Sequence, residues 1–171
     1  MLFGAVALVS IGIDVATKAL VVANLVPGEP VRLLGGAVYL SLTRNSGAAF
    51  SFAKDFTPVL TVLATVVTIA IVWYAYRKLG SWQWAVALGM VAGGACGNLM
   101  DRLFRPPGFM VGHVVDFVSV FHPYGGYFAI FNMADSSLVL GVIWVILLEL
   151  TGRGIDGTRI GKTKQDDTGA A

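Results

Sequence analysis

Long uncharged apolar runs constrain this chain more than any other feature. About Phe56 to Tyr76, and again about Trp82 to Met100, no Asp, Glu, Lys or Arg occurs. A membrane-spanning helix needs about 20 such residues. In hydrocarbon the backbone must satisfy its own hydrogen bonds, so runs of this length become helices. Two further runs have the same length but carry charge. About Leu2 to Val26 is interrupted by Asp14 and Lys18, and about Ala134 to Leu150 has Asp135 at its start and Glu149 near its end. A chain that is 56% hydrophobic and 13% charged fits a membrane protein. The expected fold is membrane α-helical, a bundle of four transmembrane helices in one domain over residues 1–152. Residues 153–171 are rich in Gly, Thr and Asp and read as a polar, disordered tail. Met1 to Ile13 is apolar but has no basic stretch before it, and Asp14 and Lys18 follow, so it reads as a retained span, not a cleaved leader.

Four spans put both termini on one side. The connector Arg77-Lys78-Leu79-Gly80-Ser81 is short and basic, and Trp73, Tyr74, Tyr76, Trp82 and Trp84 flank it like an interfacial belt. The tail adds Arg153, Arg159, Lys162 and Lys164. The positive-inside rule makes this side cytoplasmic, although Arg32, Arg44, Lys54, Arg102 and Arg105 lie on the other. The connections at about Pro27–Asp55 and Asp101–Met133 are then extracytoplasmic. Within the first, Val31 to Phe52 alternates β-prone residues around Gly35-Gly36. That pattern suits a small β-sheet, a cradle able to hold an extended peptide by backbone pairing.

Acidic groups at a membrane boundary are costly and tend to face a protein interior or a watery cavity. Asp116 sits in Gly112-His113-Val114-Val115-Asp116-Phe117, an apolar and β-prone setting. Alone it reads equally well as a turn residue. Asp135, in Asn132-Met133-Ala134-Asp135-Ser136, reads equally well as an N-terminal helix residue favoured by the dipole. Together, two acids on one side of the membrane point to a dyad. Carboxyl groups in close contact share one proton over a wide pH range. The ionised partner takes a proton from an attacking water while the protonated partner polarises the carbonyl under attack.

The remaining polar residues leave alternatives open. Asn98, Asp101 and Arg102 share a helix face by spacing, and Arg102 either forks to an acceptor or snorkels to headgroups. Asn132 lies three before Asp135 and serves the site or caps the helix. Asp14 and Lys18, four apart, read as a structural pair. Asn45, in the turn Arg44-Asn45-Ser46-Gly47-Ala48-Ala49-Phe50, bonds a substrate backbone or its own turn. His113, Asp116 and His122 make no recognisable metal motif, so no metal or other cofactor is expected. Cys96 is alone, which excludes an internal disulfide, and the small residues Gly89 to Gly97 suit close helix packing. No basic block suggests nucleic acid.

Five stretches in order resemble one family: Asp14-x-x-x-Lys18, Arg44 to Phe50, Gly97-Asn98-Leu99-Met100-Asp101-Arg102, Gly112 to Phe117, and Phe131 to Ser136. The chain resembles the lipoprotein signal peptidases, or signal peptidase II, from Asp14 to about Leu148. The resemblance implies an aspartic endopeptidase of the bacterial cytoplasmic membrane, with four helices, both termini cytoplasmic and an external β-cradle. It implies catalytic roles for Asp116 and Asp135, and substrate contact or site support for Asp14, Lys18, Asn45, Asn98, Asp101, Arg102 and Asn132. The implied substrate is a diacylglyceryl-modified prolipoprotein, cut just before its lipidated cysteine. Membrane lipids are implied partners, and a globomycin-type cyclic peptide an implied inhibitor. The stretch Arg105 to Val111 makes a longer link than compact members have, and nothing beyond Gly152 matches the family. Two other readings are an ion-coupled transporter using intramembrane carboxylates and a structural scaffold. A transporter favours charges at mid-membrane and often shows a repeat, neither of which is evident here.

Overall fold

A computed structural model describes residues 1–47 and 57–159. Ala48 to Phe50 of the polar turn, Lys54, Asp55, the expected first residue of the second span, Phe56, and residues 160–171 of the tail lie outside the described residues. Among the described residues there are four α-helices: α1 (Leu2–Asn24), α2 (Thr57–Lys78), α3 (Trp82–Phe104) and α4 (Met133–Leu150). Several of their bounds have local causes. After α1 the chain turns extended at Leu25, and Pro27, which cannot continue a helix, follows. α3 ends at Arg105, held extended by the ring of Pro106 that follows it. α4 starts at Asn132, whose side chain accepts from the Asp135 N–H while the Asp135 carboxylate accepts from the Asn132 N–H.

The protein is membrane α-helical with a small sheet. By length and composition, α1, α2 and α4 can each cross a membrane. α3 falls outside that group because it is the central helix, packed against the other three. Its buried positions include Ala85, Ala87, Gly89, Ala92, Gly93, Gly94 and Gly97, small residues that let backbones approach. A Cβ on Gly93 would lie 2.6 Å from Ser10 of α1, and one on Gly141 of α4 would lie 2.8 Å from the Ala87 carbonyl. A helix covered by protein does not need a lipid-facing apolar surface.

The two longer connections meet at one end of the bundle. The first forms β1 (Val31–Leu33), a 3₁₀ turn over Leu34–Gly36, and β2 (Val38–Asn45). The second forms β3 (Val114–Val120), and the antiparallel order is β1-β2-β3. Thr43 pairs with Asp116 and Asn45 with Val114, after an irregularity between Leu40 and Thr43. Leu42, Val115 and Phe117 cluster with Val21 of α1, which seats the sheet on the helices. Of the stretch Val31 to Phe52 expected to hold strands, residues 48–52 lie outside the described residues, and β1 and β2 lie in the described part. Their third partner, the strand carrying Asp116, comes from seventy residues away and has no local sign in the first connection.

At the other end, residues 153–159 depart from the expected disordered tail. The backbone N–H groups of Gly80 and Ser81 donate to the Ile155 carbonyl at 2.9 and 3.0 Å. The Trp84 indole donates to the Arg153 carbonyl at 2.8 Å. Ile155 packs on the cluster of Ala75, Trp84 and Leu148. One apolar residue among the polar ones, with a buried indole needing an acceptor, is enough to order this turn.

Candidate active site

Asp116 and Asp135 both hydrogen-bond to Asn132. The Asn132 amide nitrogen donates to Asp116 Oδ1 at 2.7 Å, and its backbone N–H donates to Asp135 Oδ2 at 3.1 Å. The Asn132 side-chain oxygen accepts from the Asp135 N–H at 2.9 Å. The capping and the site readings of Asn132 are therefore one arrangement: the residue that starts α4 also holds β3. Asn98 donates to Asp135 Oδ1 at 2.6 Å and accepts from Asn132 at 3.0 Å. Asn45 donates to Asp116 Oδ2 at 2.9 Å while its oxygen accepts from the Gly47 N–H at 2.8 Å, so it serves its own turn and the aspartate together. Among the described residues each of the four carboxylate oxygens has one donor.

Beneath this layer lies a buried ionic cluster. Lys18 is 1% exposed, and its ammonium meets Asp14 at 2.7 Å, Asp101 at 2.8 Å and Asn98 Oδ1 at 3.1 Å. Two carboxylates at ion-pair distance and one hydrogen bond to Asn98 offset the cost of burying this ammonium. Asp14 also accepts from the Ala134 N–H at 2.9 Å, at the positive end of α4. Asp101 accepts from the Val115 N–H at 3.1 Å and pairs with Arg105. The cluster ties α1, α3, α4 and β3 into one frame around the aspartates.

Arg102 lies within electrostatic reach of the dyad. Its Nε is buried without a hydrogen-bond partner among the described residues, yet the guanidinium feels the charges of Asp116 and Asp135. A Cβ on Gly47 would come within 3.4 Å of its Nη2. It thus lies between the aspartates and the turn after β2. Arg105, not assigned to the site from sequence, takes the carboxylate pairing with Asp101.

Asp116 is 3% exposed, and burial pushes its carboxyl up to about 6. The Asn45 hydrogen bond opposes that shift, and the nearby charge of Asp135 adds to it. An open groove runs past this carboxyl, lined by Asn45, Ser46, Tyr124, Gly125, Ala129 and Ile130 among others. The far wall was not singled out from sequence. Tyr124 also donates to the Gly28 carbonyl at 3.3 Å, which links the wall to the connection after α1. The available signal was the aromatic run Phe121, Tyr124, Tyr127, Phe128 and Phe131 around Gly125-Gly126. His113 donates its backbone N–H to Pro106, and His122 accepts from the Tyr124 N–H. Among the described residues no group of three or more His, Cys, Asp or Glu is placed to hold a metal ion.

A family profile described as signal peptidase (SPase) II matches residues 6–151. The chain belongs to the signal peptidase II family. A lipoprotein signal peptidase of Rhodococcus jostii (strain RHA1) is 50% identical to it over 96% of this chain and 80% of that one. One from Mycobacterium avium (strain 104) is 47% identical, over 95% and 85%. A bacterial membrane enzyme solved in meso at 2.3 Å resolution superposes with a TM-score of 0.70 at 27% identity, covering 96% of this chain and 92% of that one. Another, at 1.9 Å, gives 0.68 at 30% identity, with 85% and 90% covered. Signal peptidase II is a membrane protease, so the transporter and scaffold readings fall away.

Proposed function

We propose that this signal peptidase II is an aspartic endopeptidase that removes the signal peptide from diacylglyceryl-modified prolipoproteins, just before the lipidated cysteine. The observation that carries the mechanism is Asn132, bonded to both Asp116 and Asp135 at the junction of β3 and α4. The pair acts on one water. The ionised carboxylate takes a proton from the water as it attacks the scissile carbonyl, and the protonated partner hydrogen-bonds the carbonyl oxygen. Collapse of the tetrahedral intermediate passes a proton to the leaving amine. In the free enzyme Asp116 holds a proton below about 6. A substrate covering the groove excludes water, which raises that value and keeps one proton on the pair nearer neutral pH.

Asp14, Lys18, Asp101 and Asn98 keep the two carboxylates in register, and Asn45 and Asn132 orient Asp116. Arg102 meets substrate carbonyls, and a globomycin-type cyclic peptide occupies the same ground. Four crossings, with α3 the fourth span, make residues 1–152 a single peptidase domain in a bacterial cytoplasmic membrane. Both termini are cytoplasmic, and the sheet and dyad face outward. Support comes from the sheet gathering both longer connections at one end, while the 79–81 connector meets residues 153–155 at the other.

A dyad at the end of a membrane bundle reaches a peptide bond held at the bilayer surface. The diacylglyceryl anchor supplies that depth, with each buried CH₂ contributing about 0.8 kcal/mol. Lipidated and unlipidated precursors, assayed in the same proteoliposomes with EDTA and 1,10-phenanthroline present, test this reading. The lipidated form is cut much faster, and the chelators have no effect. Equal rates for the two forms, or chelator inhibition reversed by zinc, would reject it.

A further inference from the structure

At the end of the bundle away from the dyad, a polar cleft has formed between the start of α3 and the returning segment 153–159. Ser81, Gln83, Arg153, Thr158 and Arg159 line it. The close approach of the two segments shapes it. A Cβ on Gly80 would fall 2.5 Å from the Asp156 carbonyl, and Gly157 takes a φ of +92° that side chains disfavour. Arg153 and Arg159 are bridge partners, so their side chains rise from adjacent strand-like positions. Neither guanidinium makes an ion pair or hydrogen bond among the described residues. Asp156, between the two arginines in sequence, accepts from the Thr158 N–H at 3.0 Å and its hydroxyl at 2.7 Å. Ser81 donates its hydroxyl to Gln83 Oε1 at 2.7 Å, and among the described residues the Gln83 amide N–H groups have no acceptor. Among the described residues the cleft thus presents two cations without a carboxylate partner and a side-chain amide donor, and no carboxylate lines it.

We propose that this cleft binds the phosphate of an anionic phospholipid headgroup. Two planar guanidiniums match phosphate oxygens in charge and geometry. The membrane source is favoured by position. Trp73, Tyr74, Tyr76 and Trp82 are all exposed at the neighbouring ends of α2 and α3, and the Arg77 guanidinium lies 6.0 Å from the Trp73 ring. Exposed Trp and Tyr of this kind sit at headgroup depth. The site holds the segment after α4 against the connector and is independent of the dyad.

The test is a binding titration of the purified full chain in detergent with dioctanoyl phosphatidylglycerol, dioctanoyl phosphatidylcholine and inorganic phosphate, read by native mass spectrometry. Two basic residues at roughly fivefold each give a preference for phosphatidylglycerol on the order of 25-fold. R153Q/R159Q loses that preference, and R159Q alone, at an exposed position, loses about fivefold. Should the double variant fail to fold, the single one decides. Equal binding of the two lipids, or unchanged phosphatidylglycerol binding in the variants, overturns the proposal. Inorganic phosphate binding as tightly as the lipid overturns the lipid assignment and leaves a free-phosphate site.

Discussion

Asn132 joins two jobs that usually belong to separate residues. As an N-cap it accepts the Asp135 N–H in the first turn of α4, and as a donor it orients Asp116. The three-residue spacing to Asp135 made the cap legible from sequence, because capping is local. The contact with Asp116 was not, because it depends on where β3 docks. Lys18 shows the same limit: its pairing with Asp14 follows from helical spacing, but its reach to Asn98 is set by tertiary packing. At this scale the account predicts a titration. The Asp116 carboxyl C=O band in infrared difference spectra of the free enzyme appears as pH falls through about 6. In D135N it titrates lower, since a repelling charge is gone, yet stays above the ordinary value of 3.8 because burial is the larger cause. Asp116 binds its proton more tightly when folded. It therefore contributes stability fully below the unfolded carboxyl range, and loses that contribution as pH rises through about 6. An unchanged titration midpoint in D135N would show that the two carboxylates do not interact.

Among the elements, α3 departs most from what its sequence suggests in isolation. Its uncharged run marks it as a span, yet its glycines and alanines make it less apolar than its neighbours. Both features follow from its central place, where small residues matter more than lipid-facing bulk. The glycines of the interface are therefore unequal to those outside it. Gly141→Ala drives a Cβ against the Ala87 carbonyl and the Val91 N–H, two backbone groups that cannot rotate away. It destabilises by about 1–3 kcal/mol. Gly12→Ala, with nothing within 4 Å, leaves stability unchanged or raises it by up to about 1 kcal/mol. Thermal unfolding of the two variants in the same detergent checks the contrast, and equal melting temperatures would contradict the packing described. The pairing of β2 with β3 was the least legible element contact. An antiparallel pair assembled from two distant connections leaves no hairpin turn in the sequence to announce it.

For the whole molecule, the alternation of apolar runs and connections foretold the helical bundle, since hydrocarbon permits few folds. It did not foretell that residues 153–159 return to the connector, because one indole hydrogen bond and one isoleucine are weak signals in a polar tail. Orientation is testable directly. In a Cys96→Ala background, a cysteine at Ser81 reacts with an impermeant maleimide from the cytoplasmic side, and one at Gly35 or Gly126 from outside. Labelling of Ser81 and Gly35 positions from one face would refute the four-crossing arrangement. The central claim is that Asp116 and Asp135 together perform the cleavage, and single-turnover cleavage of a diacylglyceryl prolipoprotein by D116N and D135N measures it most directly. Each variant, shown by its melting curve to be folded and inserted, should lose at least ~10²–10⁴ in rate. Turnover near the wild-type rate by either folded variant would contradict the account.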